Sequence, residues 1–262
     1  MTETSSPRPP DGTPHHRLCL AADVEQYSRL DARAQSAVQA DLVRILDEAA
    51  ALTGLDRAAW ERQPQGDLEF AVLPENTPEA TVLGPFVNHL ADGLSTRNAM
   101  PSATRIRLRV AVDKGLAKRA PLGHAGHAPV AVARFVNAPQ LKAVLAALAA
   151  ADLAVIVSDR LYQDIVRSGG DGLAPEQYVR ANVKVKDFGG YGWIRVPGHG
   201  ADDMRPVVDG PQQPLPSPSA HVPGPAVLSQ VVRHGAAVGR DVTGGLTIGA
   251  PVDPSDSRRR HR

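Results

Sequence analysis

Three residues far apart in the chain form a pattern that could support metal-assisted phosphate chemistry. Asp23 ends an apolar run, Asp67 lies in a Gly-Asp turn before a second apolar run, and Arg134 closes a third. Two carboxylates at the ends of neighbouring strands can hold two divalent cations, because Mg²⁺ prefers oxygen ligands. A distant guanidinium can then bind the phosphate oxygens between them. This hypothesis depends on whether the three side chains meet in the folded protein.

The elements that must position these residues alternate between strands and helices. Apolar residues recur at helical spacing after Asp31, a favourable N-terminal cap, and Gly54 is a typical helix stop. Short apolar runs on either side of a turn with Pro and Gly predict a hairpin. The predicted elements are a strand over Arg17–Ala22, a helix from Asp31 to Leu52, the hairpin of Ala59–Gln63 with Leu68–Leu73, a helix between Pro78 and Asn98, and a strand over Arg105–Asp113.

The order strand, helix, strand, strand, helix, strand predicts an α+β fold with a ferredoxin-like βαββαβ core and helices on one face of the sheet. In the last of these strands Arg105, Arg107 and Arg109 alternate with apolar residues, which is typical of a strand with one wet face. Extra C-terminal elements follow this core: a helix over Ala128–Ala151, a strand over Leu153–Val157, a helix over Asp159–Ser168, and an antiparallel pair of Val179–Val185 with Tyr191–Val196.

Composition narrows the class of protein. The 262 residues include 29 basic and 28 acidic side chains, for a formal net charge of +1. This balance predicts neither a nucleic-acid-binding nor a membrane-surface protein. No apolar run approaches the about 20 residues that span a bilayer. Cys19 is the one cysteine and cannot form an internal disulfide, so we expect a cytoplasmic protein.

Changes in composition divide the chain into five segments. Residues 1–16 are polar and Pro-rich and are predicted to be disordered, and residues 17–197 form the folded domain. Seven prolines predict a linker over residues 198–225. Residues 226–249 combine β-branched residues with regularly placed Gly. They resemble bacterial amyloid-signalling motifs that bind a partner protein, and the alternative is a disordered Gly-rich tail. Residues 250–262 are a basic, solvated tail.

The folded segment resembles the class III nucleotidyl cyclases, the family of adenylate and guanylate cyclase catalytic domains. Four stretches carry the resemblance: Ala22-Asp23-Val24 with Tyr27-Ser28, the turn Gly66-Asp67, the strand Arg109–Gly115, and Gly126 followed eight residues later by Arg134. More narrowly, three stretches are similar to an actinobacterial set of divergent cyclase-like proteins: Asn137–Lys142, Val157–Asp159, and Val183–Lys186 with Trp193-Ile194.

The resemblance implies a site and a partner. Asp23 and Asp67 would hold two Mg²⁺ or Mn²⁺ ions, and Arg134 would bind the α-phosphate of a nucleoside triphosphate during cyclisation. The implied substrate-binding residues are Val24, Tyr27, Ser28 and Gln63. In this family the Arg and the metal carboxylates of one site come from opposite protomers. The resemblance therefore also implies a homodimer with shared sites.

Three positions depart from the adenylate cyclase pattern of the family. Gln63 stands where the family places a base-contacting Lys, Gly123 where it places a carboxylate, and Val130 where it places an Asn. The loss of a donor of this kind typically costs several kcal/mol of transition-state stabilisation. Two functions therefore stay open. One is a cyclase with altered base preference, and the other is a catalytically inactive module that senses a nucleotide or only dimerises.

Two histidines lie in the Gly-rich loop before Arg134. His124 and His127 lack an adjacent Cys or carboxylate, so they make a weak metal site, and a solvated loop is the favoured interpretation.

Overall fold

The computed structural model describes residues 13–101, 103–170 and 172–210. Within these ranges the strands are β1 (His15–Val24), β2 (Glu61–Gln65), β3 (Leu68–Val72), β4 (Leu108–Ala120), β5 (Gly123–Ala125), β6 (Leu153–Ser158), β7 (Val179–Val185) and β8 (Phe188–Arg195). The helices are α1 (Ala32–Leu52), α2 (Glu79–Thr81), α3 (Val87–Asn98), α4 (His127–Phe135), α5 (Pro139–Ala147), α6 (Asp159–Asp164) and α7 (Ala201–Val208). A π-helical turn over Val82–Phe86 joins α2 to α3.

The strands form a single mixed sheet in the order β2-β3-β1-β4-β6-β8-β7, and β5 pairs with the far end of β4. Strand β1 lies between β3 and β4 and is antiparallel to both, while β4 and β6 are parallel. The first six elements of the chain, counting α2–α3 as one helix, are therefore arranged as a ferredoxin-like βαββαβ unit. The predicted fold class is confirmed.

Both faces of the sheet are covered by helices, not one. Helices α1 and α3 pack on one face, with Leu20 and Leu46 in the core beneath them. Helices α4, α5 and α7 cover the other face over a second core that contains Ala111 and Leu141. The prediction of helices on one face holds for the ferredoxin-like unit alone, because its two helices do pack on one side. Of the helices added after β4, α4, α5 and α7 cover the opposite side, whereas α6 packs into the first core.

Helix α1 forms as the apolar spacing predicts. The Asp31 side chain accepts a hydrogen bond from the Ala34 N–H at 2.8 Å, which satisfies one of the free donors at the helix start. The apolar residues at helical spacing are buried, with the exception of Leu52, which is 68% exposed at the last turn. Gly54 follows with a φ of 71°, the left-handed conformation that glycine adopts without strain.

The predicted wet face of β4 is wrong. Arg107 lies just before β4 and donates hydrogen bonds to the Leu148 carbonyl at 3.0 Å and the Ala151 carbonyl at 2.9 Å. Arg105 donates to the Asp152 carboxylate at 2.7 Å and the Ala149 carbonyl at 2.8 Å. These guanidinium groups therefore bind free carbonyl oxygens around the C-terminal end of α5. Together they do not make an open sheet face, although the Arg105 side chain is 45% exposed.

The single helix predicted over Ala128–Ala151 is two helices. Pro139 is the first residue of α5, where its missing N–H costs nothing, and Ala138 before it takes the extended-type ψ of 130° that a following proline favours. Helix α4 therefore ends at Phe135, and the chain turns before α5 begins. The break places the end of α4 and the body of α5 at different points over the same sheet face.

The predicted linker begins too early. Helix α7 lies within residues 198–225, and its Ala201, Met204 and Val208 are buried in the second core. The spacing of these three side chains is helical, and the Asp203 carboxylate accepts a hydrogen bond from the Gly200 N–H at 3.0 Å at the helix start. Prolines alone were therefore a poor guide here. The remaining predicted linker, the 226–249 segment and the basic tail lie outside the described residues, as do residues 1–12.

Strand β1 starts at His15, two residues earlier than predicted, and it carries the one cysteine. Cys19 is fully buried, and burial raises the pKa of its thiol to about 12, with the Asp113 charge adding to this effect. The thiol is therefore inert packing in the folded state, because the thiolate is the reactive form. In the ranges that the structure describes, no helix is long and apolar enough to cross a membrane.

Candidate functional site

The fold brings Asp23 and Asp67 together at one edge of the sheet. Asp23 is the penultimate residue of β1 and pairs with Leu68, the first residue of β3. Asp67 lies immediately before Leu68 in the turn between β2 and β3. The Val24 N–H donates a hydrogen bond to the Asp67 carbonyl at 3.1 Å, which fixes the turn against the end of β1. The sequence pattern of a strand-end acid and a hairpin-turn acid thus predicted the proximity of these two residues.

Asp23 is a buried carboxylate in a charged environment. Asp23 is 8% exposed, and burial is the main reason why the pKa of its side chain is raised above 3.8. The Arg109 guanidinium acts in the opposite direction, whereas the negative charge of Asp67 raises the pKa further. The repulsion between the two acids confirms that they lie within electrostatic reach of each other. A bound cation would relieve both the repulsion and the desolvation.

Two basic residues that sequence reasoning did not assign to this site also lie here. Arg109 lies directly opposite Asp23 in the β1–β4 register, and its guanidinium donates to the Asp23 carboxylate. Lys142 on α5 donates to the Asn137 side-chain oxygen at 3.0 Å. Burial and the Arg109 charge lower the pKa of Lys142, while Asp23 raises it. The two cations make this part of the site close to neutral overall, and no motif in the sequence signals their convergence.

The turn after β1 has a more restricted role than the resemblance implies. The N–H groups of Val24 and Glu25 donate to the Asp67 carbonyl at 3.1 Å and the Arg107 carbonyl at 2.8 Å. Among the backbone N–H groups from Val24 to Ser28, this leaves those of residues 26–28 for a ligand, as far as the described residues show. Gln26 has a φ of 59°, a left-handed conformation that bends the chain into the short turn of Tyr27 and Ser28.

Tyr27 is anchored to the same edge through Gln39 on α1. The Gln39 amide donates to the Tyr27 hydroxyl at 2.6 Å and to the Gly66 carbonyl at 3.1 Å. One side chain therefore ties the turn after β1 to the turn that carries Asp67. Ser28 is exposed beside it. The turn of Tyr27 and Ser28 and the turn of Asp67 are therefore held next to each other by Gln39.

The two positions implied in base recognition also meet. Gly123, with a φ of 125°, lies against the Gln63 amide, and a Cβ atom added to Gly123 would be 1.8 Å from the Gln63 nitrogen. The Gln63 side chain thus takes the space that a carboxylate at position 123 would need. This contact explains why Gln63 and Gly123 occur together, and it leaves a neutral amide at this corner of the site.

The interpretation of His124 as part of a solvated loop is wrong. His124 lies in β5, its side chain is 7% exposed, and its Nε2 lies 2.8 Å from the Glu61 carboxylate. Glu61 also accepts a hydrogen bond from Arg119 at 2.7 Å. The hairpin of β4 and β5 buries this ring against the sheet, which a Gly-rich sequence did not indicate. His127, in contrast, is exposed at the start of α4, with a side chain that is 74% exposed.

The chain does not bring Arg134 to the two acids. Its guanidinium lies 3.8 Å from the carboxylate of Asp187, an exposed residue in the turn between β7 and β8. Val130, one helical turn earlier on α4, is 50% exposed. Within the described residues, no hydrogen bond or ion pair joins Arg134 to Asp23 or Asp67.

The chemistry of the two acids suits divalent cations, and the neighbouring Arg109 guanidinium opposes them. Asp23 and Asp67 offer the oxygen ligands that Mg²⁺ and Mn²⁺ prefer, and their mutual repulsion favours a bound cation. Arg109 already holds one Asp23 oxygen, so the site binds a cation against a local positive charge. Among the described residues, no group of three or more His, Cys, Asp or Glu side chains could hold a metal ion. The pair alone is the candidate.

Comparison with solved structures gives the class of fold. An adenylate/guanylate cyclase/hydrolase from Silicibacter pomeroyi matches with a TM-score of 0.52 and 19% identity, over 71% of this chain and 99% of that one. The guanylyl cyclase Cya2 matches with a TM-score of 0.50 and 12% identity, over 72% and 95% of the two chains. A bacterial light-regulated adenylyl cyclase matches with a TM-score of 0.50 and 12% identity, over 75% of this chain and 58% of that one.

These likenesses show that the chain has the fold of class III nucleotidyl cyclase catalytic domains. No protein-family model matches the sequence, and no curated protein matches it significantly. At these identities the fold is what is shared. The function must therefore be argued from the site.

Proposed function

We propose that this protein is a divergent class III nucleotidyl cyclase-like signalling protein that converts a nucleoside triphosphate to a cyclic mononucleotide with release of pyrophosphate. The observation that carries this proposal is the convergence of Asp23 and Asp67 at one edge of a cyclase fold. An inert scaffold has no need of a buried acid whose ionisation burial opposes. Bound Mg²⁺ or Mn²⁺ would lower the pKa of the 3′-hydroxyl and neutralise triphosphate charge.

The residues of the chain have distinct roles in this proposal. Asp23 and Asp67 hold the cations. Arg109 stands next to Asp23, where its guanidinium can turn to a phosphate oxygen when a cation takes over the carboxylate. The backbone N–H groups of Tyr27 and Ser28, in the turn after β1, bind phosphate oxygens in this proposal. These contacts orient the triphosphate and do not depend on which base it carries.

Arg134 contributes from a second copy of the chain in this proposal. Within one chain it pairs weakly with Asp187, whose side chain is 93% exposed, and this contact is easily exchanged for a phosphate. Val130 on the same helix face supplies apolar surface at the position where the family has a ribose-aligning Asn. The homodimer thus completes each site, with Arg134 stabilising the charge that develops at the phosphorus.

The base specificity follows from the Gln63–Gly123 contact. A neutral amide that both donates and accepts hydrogen bonds replaces the Lys and carboxylate that the family uses to select adenine. We propose that Gln63 contacts the base and that adenine is not the preferred base.

A catalytically inactive nucleotide-sensing or dimerisation module is the second candidate function. The specific observation in its favour is the pairing of Arg109 with Asp23, together with the apolar Val130 at the position of a catalytic donor. In this form the site binds a nucleotide without turnover. The protein then passes its state to a partner.

A pyrophosphate-release screen separates the two candidates. Wild-type protein with Mn²⁺ and each of the four ribonucleoside triphosphates is expected to release pyrophosphate from at least one of them. The Asp67→Ala variant is expected to lose about 100-fold or more of that rate, since a metal ligand is removed. Asp202→Ala serves as the control, because it removes a 92% exposed carboxylate whose ion pair is with Arg205 on the same helix, α7. Nucleotide binding without release from any triphosphate supports the inactive module and contradicts the cyclase.

We further propose that residues 226–249 recruit a partner protein, in bacterial defence signalling. The support is the resemblance of this segment to amyloid-signalling motifs. The isolated segment is expected to form fibrils that bind thioflavin T, and a version with Asp in place of two β-branched residues is expected not to. A segment that stays soluble and unstructured at high concentration would contradict this role.

A further inference from the structure

A cavity of about 360 Å³ lies on the second sheet face, away from the two acids. It opens between the start of β1, the second half of β4, the two ends of α4, the end of β6, the start of α6 and the first half of β8. Its walls include an acid, a hydroxyl, a histidine and three aromatic rings: Asp113, Ser158, His127, Phe135, Phe188 and Tyr191. Two basic side chains also line it, and each is paired with another acid, Lys114 with Glu79 and Arg160 with Asp164. Nothing in the proposed cyclase reaction uses these residues.

Asp113 is the unusual residue of this cavity. It is 3% exposed, and its Oδ2 atom has no hydrogen-bond partner among the residues that the structure describes. The nearest basic group, the His127 Nδ1 atom, lies 3.7 Å from this oxygen, beyond hydrogen-bonding distance. A buried carboxylate oxygen without a donor is costly, and such groups in folded proteins require an explanation.

The surroundings of Asp113 do not offset its burial. Burial raises the pKa of its carboxyl above 3.8, although the Ser158 hydroxyl, His127 and Arg160 all act to lower it. A neutral residue of the same shape would therefore suit the free protein better. Retention of the acid at a cost to stability is a feature of functional sites.

The rest of the cavity suits the apolar body of a ligand. The Phe135 and Phe188 rings pack edge to face with their centres 5.2 Å apart, and Tyr191 is 46% exposed at the mouth. A Cβ atom added at Gly189 would meet no atom within 4 Å, so the hairpin leaves open space beside the rings. Aromatic faces around a buried carboxylate attract organic cations.

We propose that this cavity binds a small organic cation, with an ammonium, amidinium or guanidinium head on Asp113 and an apolar body against Phe135, Phe188 and Tyr191. The head supplies the donor that Oδ2 lacks, and a charged donor to a carboxylate makes the strong form of that bond. The volume falls at the lower end of the range for ligand sites, which restricts the ligand to a small molecule.

This site is separate from the proposed cyclase site. Asp113 lies four residues after Arg109 on β4, or about 13 Å along the strand. The inference therefore holds whether or not the protein turns over a nucleotide, and it can fail while the cyclase proposal succeeds.

Titration of isotope-labelled protein with matched pairs of probes tests the proposal. Benzamidine and phenethylamine are expected to shift the amide resonances of Gly115, Gly189 and Gly190 saturably. Their uncharged counterparts, benzamide and 2-phenylethanol, are expected not to. Asp113→Asn should weaken the binding of the cation about tenfold or more, whereas Glu48→Gln, the control on the exposed side of α1, should leave it unchanged.

Three results would overturn the proposal. The first is equal binding of charged and uncharged probes, and the second is binding that Asp113→Asn leaves intact. The third is the absence of binding by either cation up to about 10 mM, the weak limit of specific affinity. If that absence were joined by a change in sedimentation of Asp113→Asn, the cavity would instead accept a side chain of a second copy.

A measurement without any ligand provides an independent test. Because the free protein holds Asp113 at a cost, Asp113→Asn is expected to raise the melting temperature by about 2 °C or more. An unchanged or lower melting temperature would mean that the carboxylate supports the fold, and the assignment of Asp113 to ligand binding would then be wrong.

Discussion

Mixing two inactive variants is expected to restore activity that neither has alone. Asp23→Asn and Arg134→Ala should each lower the rate of pyrophosphate release by about 100-fold or more, since one loses a cation ligand and the other the guanidinium that stabilises developing charge. Asp23→Asn keeps an oxygen that accepts from Arg109. Because burial already opposes the ionised form of Asp23, the neutral variant is expected to fold.

The restored rate has a definite value. Random pairing of equal amounts gives about half mixed dimers, and each mixed dimer has one of its two sites free of both changes. The mixture should therefore show about a quarter of the wild-type rate. This follows from the shared site that we propose, because in the described part of the chain Arg134 forms an ion pair with Asp187, at 3.8 Å, and none with either acid.

The readout is product formed by the mixture against each variant alone, after brief co-incubation at a concentration where dimers exchange. The matched control is a mixture of two acid variants, Asp23→Asn and Asp67→Ala. Both acids of a site come from the same protomer, so every site in this mixture lacks one of its acids. Equal, near-zero rates in both mixtures would show that the site is not shared between copies.

The convergence of Asp23 and Asp67 was predictable from the sequence, because local patterns fix it. An acid at the end of an apolar strand and an acid in the following hairpin turn must approach each other once β1 pairs with β3. The partner of Asp23 on its other side was not predictable in the same way. Alternation in β4 placed Arg109 on one face of the strand, but it did not indicate that this face would be covered by α4 and α5.

Other errors arose where one strong local signal was given too much weight. The prolines around α7 hid an apolar helical spacing, and the glycines around His124 hid a short strand that holds a buried His124 side chain. At Pro139 a signal was given too little weight. The preference of proline for the first helical turn marks the start of α5, which the prediction of one helix overlooked. The role of Asp113 depends on a cavity formed by six separate elements, so its neighbours in the sequence could not reveal it.

Replacing Arg57 by Met is expected to lower the free energy of unfolding by about 3–5 kcal/mol, the typical result of leaving one member of a buried ion pair alone. The Arg57 guanidinium lies 3.0 Å from the Glu69 carboxylate, and the two side chains are 4% and 8% exposed. Arg57 also lies over the Trp60 ring, 5.6 Å from its centre. The pair joins the short turn before β2 to β3, and thus supports the hairpin that carries Asp67.

Urea unfolding followed by tryptophan fluorescence measures this loss. The double variant Arg57→Met with Glu69→Met is expected to recover most of the stability, because well-packed apolar residues often replace a buried pair without cost. Arg44→Met is the control, since Arg44 pairs with Glu48 on the exposed face of α1, and its loss should change stability by less than about 1 kcal/mol.

The pH dependence of the Arg57→Met variant identifies the cause. Burial raises the pKa of Glu69 above its ordinary value of 4.5, and Arg57 acts to lower it. Without Arg57 the folded-state pKa of Glu69 rises further. The stability difference from wild type therefore grows as the pH increases from the folded-state pKa of Glu69 in the wild type to the higher value in the variant. A loss that is the same at about pH 4 as at pH 7 would mean that lost packing, and not the unpaired Glu69 carboxylate, destabilises the hairpin.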